Sequence, residues 1–466
     1  MSLFKTHIPT LSRRNFFEIG PVGVSCSFLL PMVRPLNVQA ATPVKLRGTA
    51  EQCIFIFLSG GISQIDSFDF KEGPWTPADF DLRAVKGGPM KLPYALFPRL
   101  TDKLDDLAIV RSVEAWEAGH ARAQFYTQVA HPISPARRNE MPSIGAVIAH
   151  EMYSRRKPGD FLPPFVSMNF GTGGGAGIIG AGCLDPKMNP LTIDTKAKLN
   201  FVLAERERSS FDRRWELLRM LEEEGLERSG AAAARSVDDY RAHYQGAHSM
   251  MLADGIGKVL AVNPEERKEY GSSSLGDACI LAKNLITAQA GTRHILIQHD
   301  GWDFHANIYD QSKNSNQYTL SRELDAALSR LLTDLRRTKT KDGSSLLEKT
   351  MVVCMGEFGR TVGDLTVNKG RDHNRFASTA LFAGGGVKGG QIIGATDETG
   401  GKVADPGWNK KRSIYPEDVT ATMYSALGID WTKKITNTPS GRAFEYLEPV
   451  SGTTFVDFGE ITPLFG

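Results

Sequence analysis

"HILIQHDGWDFHAN" (His294–Asn307) decides how this chain is read. Its first five residues are largely apolar, as in a strand buried on both faces of a parallel sheet. They run directly into two histidines and two aspartates. In open α/β sheets, ligands bind beyond the carboxyl ends of the strands. Either this is a polar turn, or it is one contribution to a site built along that rim.

Four more runs have the same apolar character: "CIFIFLSG" (53–60), "LAIVRSV" (107–113), "TMVVCMG" (350–356) and "STALFAGG" (378–385). Helical patterns lie between them. "TLSRELDAALSRLLTDLRRT" (319–338) sets Leu320, Leu324, Leu328 and Leu331 or Leu332 on one face. "DACILAKNLITAQAG" (277–291) feeds into "HILIQ", and "PEDVTATMYSALGI" (416–429) is a last amphipathic helix. The alternation predicts an α/β fold, a three-layer sandwich with a mostly parallel central sheet. Residues about 198–270 carry charge, Ala and Leu without strand signal, and read as an inserted helical segment. The glycine-rich "GTGGGAGIIGAG" (171–182) has neither the phosphate-loop pattern nor the acidic residue of a dinucleotide fold. It reads as a surface loop lining the cleft.

Each strand end carries polar residues. Asp66 and Asp69 follow the first run, His120 the second, and Asp303 and His305 the "HILIQ" strand. Glu357 and Arg360 follow "MVVCM", and Asp372-His373 precede "STALFAGG". Alone, each has a plain alternative as a turn former, cap or chance pair. Together they form the ligand set of a two-metal hydrolytic site, which would bind the attacking and leaving oxygens of a phosphoryl or sulfuryl transfer. Histidine and carboxylate without cysteine suit Zn²⁺, Mn²⁺ or Fe, and oxygen-rich variants suit Ca²⁺ or Mg²⁺. His299 and Asp300, at the strand end itself, read as structural or supporting groups, and Trp302 as core.

The ordered blocks "FIFLSGGISQIDSFD", "GHARAQ", "MPSIGA", "GWDFHAN", "MGEFGRT", "GRDHN" and "YPEDVTATMYSALGI" resemble the DUF1501 family, placed in the alkaline phosphatase/sulfatase superfamily. That resemblance implies an alkaline phosphatase-like fold and divalent metal ions, two of them, drawn from Zn, Mn, Ca or Mg. It implies Asp66 (or Asp69), Asp303, His305, Glu357, Asp372 and His373 as metal ligands. Glu357 departs from the pattern, because "MGEFG" has no histidine beside it. The superfamily's Ser, Thr or modified Cys nucleophile, at the start of the helix after the second strand, is also missing. Gly119-His120 stands in its place. His120 is therefore read as a nucleophile, a metal ligand or a general acid/base. Ser143, which also opens a helix, is the second choice as nucleophile, against a plain N-cap role. Among the arginines near these blocks (122, 137, 138, 360 and 371), Arg360 is the best candidate to clamp an anionic ester.

The expected activity is an exported, metal-dependent hydrolase of phosphate or sulfate esters, acting on a small-molecule or glycan ester. The alternative is a catalytically inactive superfamily member serving as an envelope or glycan-binding protein. Export is read from the N-terminus. "SRRNFFEIG" (12–20) carries a twin arginine, then an apolar stretch broken by Pro and Gly, then "VQAATP". This is a Tat signal peptide over residues 1–41, followed by the folded domain over 42–466. It predicts the Tat machinery as partner, a periplasmic or extracellular address, and no membrane span in the mature form. Losing Lys5, Arg13, Arg14, Arg34 and Glu18 takes the formal charge from +2 to −1, so nucleic acid is not an expected partner. Cys53 and Cys354 read as core thiols. Sequence leaves a Cys183–Cys279 disulfide open.

Overall fold

The computed structural model describes residues 44–85, 88–171, 175–197, 203, 205–227, 241, 244–448 and 456–466. The proposed signal peptide lies outside the described residues, as do parts of the 198–270 segment.

One eight-stranded sheet organises the chain. Its strands are β1 (Gln52–Ser59), β2 (Ala108–Val113), β3 (Phe165–Met168), β4 (Leu191–Ile193), β5 (His294–Asp300), β6 (Thr350–Met355), β7 (Ser378–Ala383) and β8 (Ile392–Ile393). The spatial order is β8-β2-β7-β6-β1-β5-β3-β4. β5 and β6 pair in parallel with β1, and β3 pairs in parallel with β5 and β4. β7 alone runs against its neighbours, β2 and β6. The residues just before β7 therefore reach the same rim that the other strands reach by leaving the sheet.

Alternating side chains decide which helices cover which face. Ile54, Ile56, Leu58, Ile295 and Ile297 join one core with the helices α4 (Ser274–Ala288) and α5 (Gln317–Arg337). On the other face, α2 (Ile144–Met152) touches β5, and the wholly buried α6 (Pro416–Leu427) touches β1. Helices on both faces make the three layers expected from the apolar strands. α1 (His120–Val129) follows β2, and α3 spans Glu205–Glu227. α3, residues 244–252, Ile256–Val259 and Pro264–Glu269 make the described part of the 198–270 segment helical. No helix among the described residues is long and apolar enough to cross a membrane. The four described cysteines are free thiols, so no Cys183–Cys279 disulfide forms.

Two glycines bring the rim together. Gly60 sits at φ +105°, and a Cβ there would lie 2.5 Å from the Asp303 backbone nitrogen. A Cβ on Gly370 would lie 2.1 Å from the carbonyl carbon of His305. Only glycine allows the segment after β5 to press against both neighbouring loops.

Candidate metal centre

Four side chains converge on the carboxyl rim. His120 opens α1, Asp303 and His305 follow β5, and His373 precedes β7. One ligand atom from each lies within 4.8 Å of all the others, in the one such group among the described residues. His305 Nε2 lies 2.9 Å from His373 Nε2 and 3.0 Å from Asp303 Oδ1. His120 Nε2 and His373 Nε2 lie 3.2 and 3.7 Å from the same oxygen. Ligands of a single ion at about 2.1 Å sit roughly 3–4 Å apart, so these spacings suit one ion.

The surroundings orient the rings. Glu357 Oε1 lies 2.9 Å from His120 Nδ1, and the Ala118 carbonyl lies 2.6 Å from His373 Nδ1. Neither acceptor offers a hydrogen while Glu357 is ionised, so each Nδ1 carries the proton and each Nε2 presents a lone pair. Partners behind metal-binding histidines commonly set the tautomer in this way. His120 Nε2 is buried without a hydrogen-bond partner. Ring nitrogens and a carboxylate oxygen thus face each other at the spacing that ligands of one cation would have.

Charge tuning follows the same geometry. Burial lowers the His120 pKa, but the hydrogen bond and charge of Glu357, with Asp303, outweigh it and leave a net rise. Burial also lowers that of His373, helped by the positive charge of Arg360 and of His120. For Asp303, burial opposes ionisation, yet the Arg360 hydrogen bond and charge hold its carboxyl below the usual range.

Other expected site residues lie elsewhere, each for a visible reason. Asp66 is fully buried in an ion pair with Arg371, whose Nε donates at 2.6 Å, and also accepts from Tyr309 and Ser63. Its oxygens are already engaged, and it lies outside the group of four converging side chains. Asp69, the alternative, is held by Arg111 and Thr396. Glu357 accepts from the backbone N–H groups of Gly60 and Gly61 and from Gln124 Nε2, and so supports His120 from behind. Asp372 stays at the edge, with Oδ1 3.7 Å from His305 Nδ1.

Ser143 is buried and caps α2, accepting from the Ala146 N–H at 3.2 Å, so the cap reading describes it. Arg360 is buried as well. Its guanidinium donates to the carbonyls of Gly60, Gly61 and Arg371 and, at 2.6 Å, to Asp303 Oδ1. It fixes Asp303 and leaves no face for an ester. His120 Nδ1 is engaged by Glu357, and its Nε2 points at the converging ligand atoms, 3.2 Å from Asp303 Oδ1.

Sequence reasoning missed two features. Gln124 and Gln128, one turn apart on α1, hold the glycine-rich segment. Their side-chain oxygens accept from the Ala176 and Ile179 N–H groups. Their i,i+4 spacing was the available signal. The other feature is Asp300, which is exposed and lines a cleft beside the centre instead of supporting the strand. His299, by contrast, is buried against Glu323, 2.9 Å away on α5, and the Trp302 ring is wholly buried.

The fold and the centre define an α/β protein with three imidazoles and one carboxylate at the carboxyl rim of a mostly parallel sheet. The chain belongs to the family described as "Protein of unknown function (DUF1501)", whose profile matches residues 50–453. No curated protein matches it.

Similar solved structures include a protein in the alkaline phosphatase superfamily from Vibrio parahaemolyticus. It is 11% identical, covers 83% of this chain and 69% of its own, and has a TM-score of 0.39. A sulfatase from Pseudoalteromonas sp. is 12% identical over 82% and 68%, with a TM-score of 0.36. The phosphonate monoester hydrolase of Agrobacterium radiobacter is 10% identical over 81% and 74%, with a TM-score of 0.33. At such distances the chemistry of this chain rests on its own residues.

Proposed function

We propose that this chain is a metal-dependent hydrolase of phosphate or sulfate esters, exported by the Tat route to the periplasm or beyond the cell. The carrying observation is the convergence of His120, His305 and His373 nitrogens with an Asp303 oxygen within 4.8 Å. Three imidazoles and one carboxylate favour Zn²⁺, Mn²⁺ or Fe over Ca²⁺ or Mg²⁺, and the geometry supports one ion where the sequence suggested two. A bound ion would polarise the ester and lower the pKa of a coordinated water.

The chain's own groups do the rest. Glu357 and the Ala118 carbonyl hold two imidazoles with their Nε2 lone pairs inward. Arg360 keeps Asp303 ionised and in place. The amino end of α1, which begins at His120, favours the negative charge that builds on the transferred group. With His120 read as a ligand and Ser143 capping a helix, the attacking group on this reading is water. The engagement of His120 also favours the rival reading, a binding protein without turnover.

Elemental analysis of the purified protein, followed by a broad panel of phosphate and sulfate esters, separates them. Metal with hydrolysis supports the proposal. Metal without hydrolysis of any ester leaves the binding protein. Absence of metal sinks both. Export rests on the Arg13-Arg14 pair. Replacing both by Lys should hold the protein in the cytoplasm, and unchanged export would remove the Tat assignment.

A further inference from the structure

Beside the centre lies a cleft of about 190 Å³, whose lining includes His120 and Asp303. Whatever fills it abuts the reacting group, so it is the natural place for the alcohol part of an ester. A cleft of this size suits a short chain.

The lining has an unusual balance. Gln298 and Asp300, two apart on β5, project on the same side into it. Asp300 is exposed and makes no hydrogen bond or ion pair among the described residues. Gln298 Oε1 is buried with no partner. Phe170 adds an aromatic side chain, and no Lys or Arg is among the described lining residues. The Gln124 Nε2 donor is already taken by Ser59 and Glu357. A buried, unpartnered amide oxygen and an uncommitted negative charge thus face this cleft. An anionic or acceptor-rich substituent would be repelled or left unpaired. An ammonium brings three donors and one positive charge, and aromatic faces attract it.

We infer that this cleft selects esters whose alcohol carries a primary ammonium, with Asp300 and Gln298 as the specificity-determining pair. This rests on the ester reading above and names the substrate class for that site.

The probes are 2-aminoethylphosphonate and its isostere propylphosphonate, titrated calorimetrically into metal-replete protein, with a glycerol-derived phosphonate as the hydroxyl-rich control. The amino compound should bind at least tenfold more tightly than either. Asp300→Asn and Gln298→Leu should each shrink that ratio severalfold. Equal binding, a ratio that survives both substitutions, or tighter binding of the hydroxyl-rich compound overturns the inference. The two readings fail separately. Selective binding without hydrolysis of any ester removes the hydrolase and keeps the ammonium site. Hydrolysis without selectivity does the reverse.

Discussion

Asp303 and Asp66 begin alike. Each follows a strand of the parallel sheet, and each meets an arginine at 2.6 Å. They end as different objects. Asp66 is 1% exposed, and Arg371, Tyr309 and Ser63 occupy both its oxygens. Asp303 is 43% exposed, and its Oδ1 faces three imidazole nitrogens as well as Arg360. An acidic side chain on a functional rim is thus no guide to its role. What matters is how much of its coordinating capacity the protein has already used.

The sharpest way to break this contrast is a pair of substitutions. Asp66→Ala leaves Arg371 buried without its counter-charge and should cost about 3–5 kcal/mol in chemical denaturation. The fraction that remains folded should keep its metal. His305→Ala removes the most exposed of the four converging side chains, 47% accessible, and should leave the metal-free stability nearly unchanged while abolishing stoichiometric metal. Metal loss in the first variant, or retention in the second, would reverse the two assignments.

Glu417 extends the contrast to a fully buried acid without a cation beside it. Burial pushes its carboxyl up to about 8, against the hydrogen bonds from Tyr126 and Trp116 that favour ionisation. Between pH 4.5 and about 8, the folded state keeps a proton that the unfolded chain has lost. The associated stability is complete below pH 4.5 and falls away as pH rises towards 8. Asp325, raised to about 6, adds a smaller term of the same sign. Glu417→Gln should flatten the decline between pH 5 and 8.5 by on the order of a few kcal/mol in denaturant midpoints measured across that range. An unchanged slope would show that Glu417 ionises freely.

A subtler test concerns the support behind the ligands. Glu357→Gln should weaken metal affinity about 10–100-fold in chelator competition, because one remaining acceptor oxygen cannot serve both His120 and the Gly60 and Gly61 N–H groups. The smallest effect belongs to Ser143→Ala. It should cost about 1 kcal/mol through the lost cap and leave metal content and turnover unchanged. A large loss of turnover there would restore Ser143 as a reacting group.

How much of this was legible follows from the same contrast. Continuous apolar runs announced the strands and therefore the rim. Asp303 and His305 were readable because they follow one strand at once, and His373 because it precedes another. His120 was placed by the strand–helix order. The state of each side chain was not readable, since it depends on partners far along the chain. Asp66 meets Arg371 only after folding, and Glu357 meets Gly60, Gly61 and Gln124 the same way. Local spacing carries no trace of such closures. Ser143 was ambiguous for the opposite reason, because a helix-opening serine looks the same whether it caps or reacts.

The reversed strand β7 carries a consequence for biogenesis. Among the described residues, β2 pairs with β7 and β8 and bridges to Ile414, all of them beyond residue 377. During synthesis, the strand that launches α1 has no neighbour until that distant segment emerges. Contacts so remote in sequence form slowly and late. His120 and His373 come from the two ends of this closure, so the centre cannot precede it. A nascent chain stopped before Ser378 would carry an open sheet edge and an incomplete centre. Metal acquisition would then report that β7 has joined the sheet.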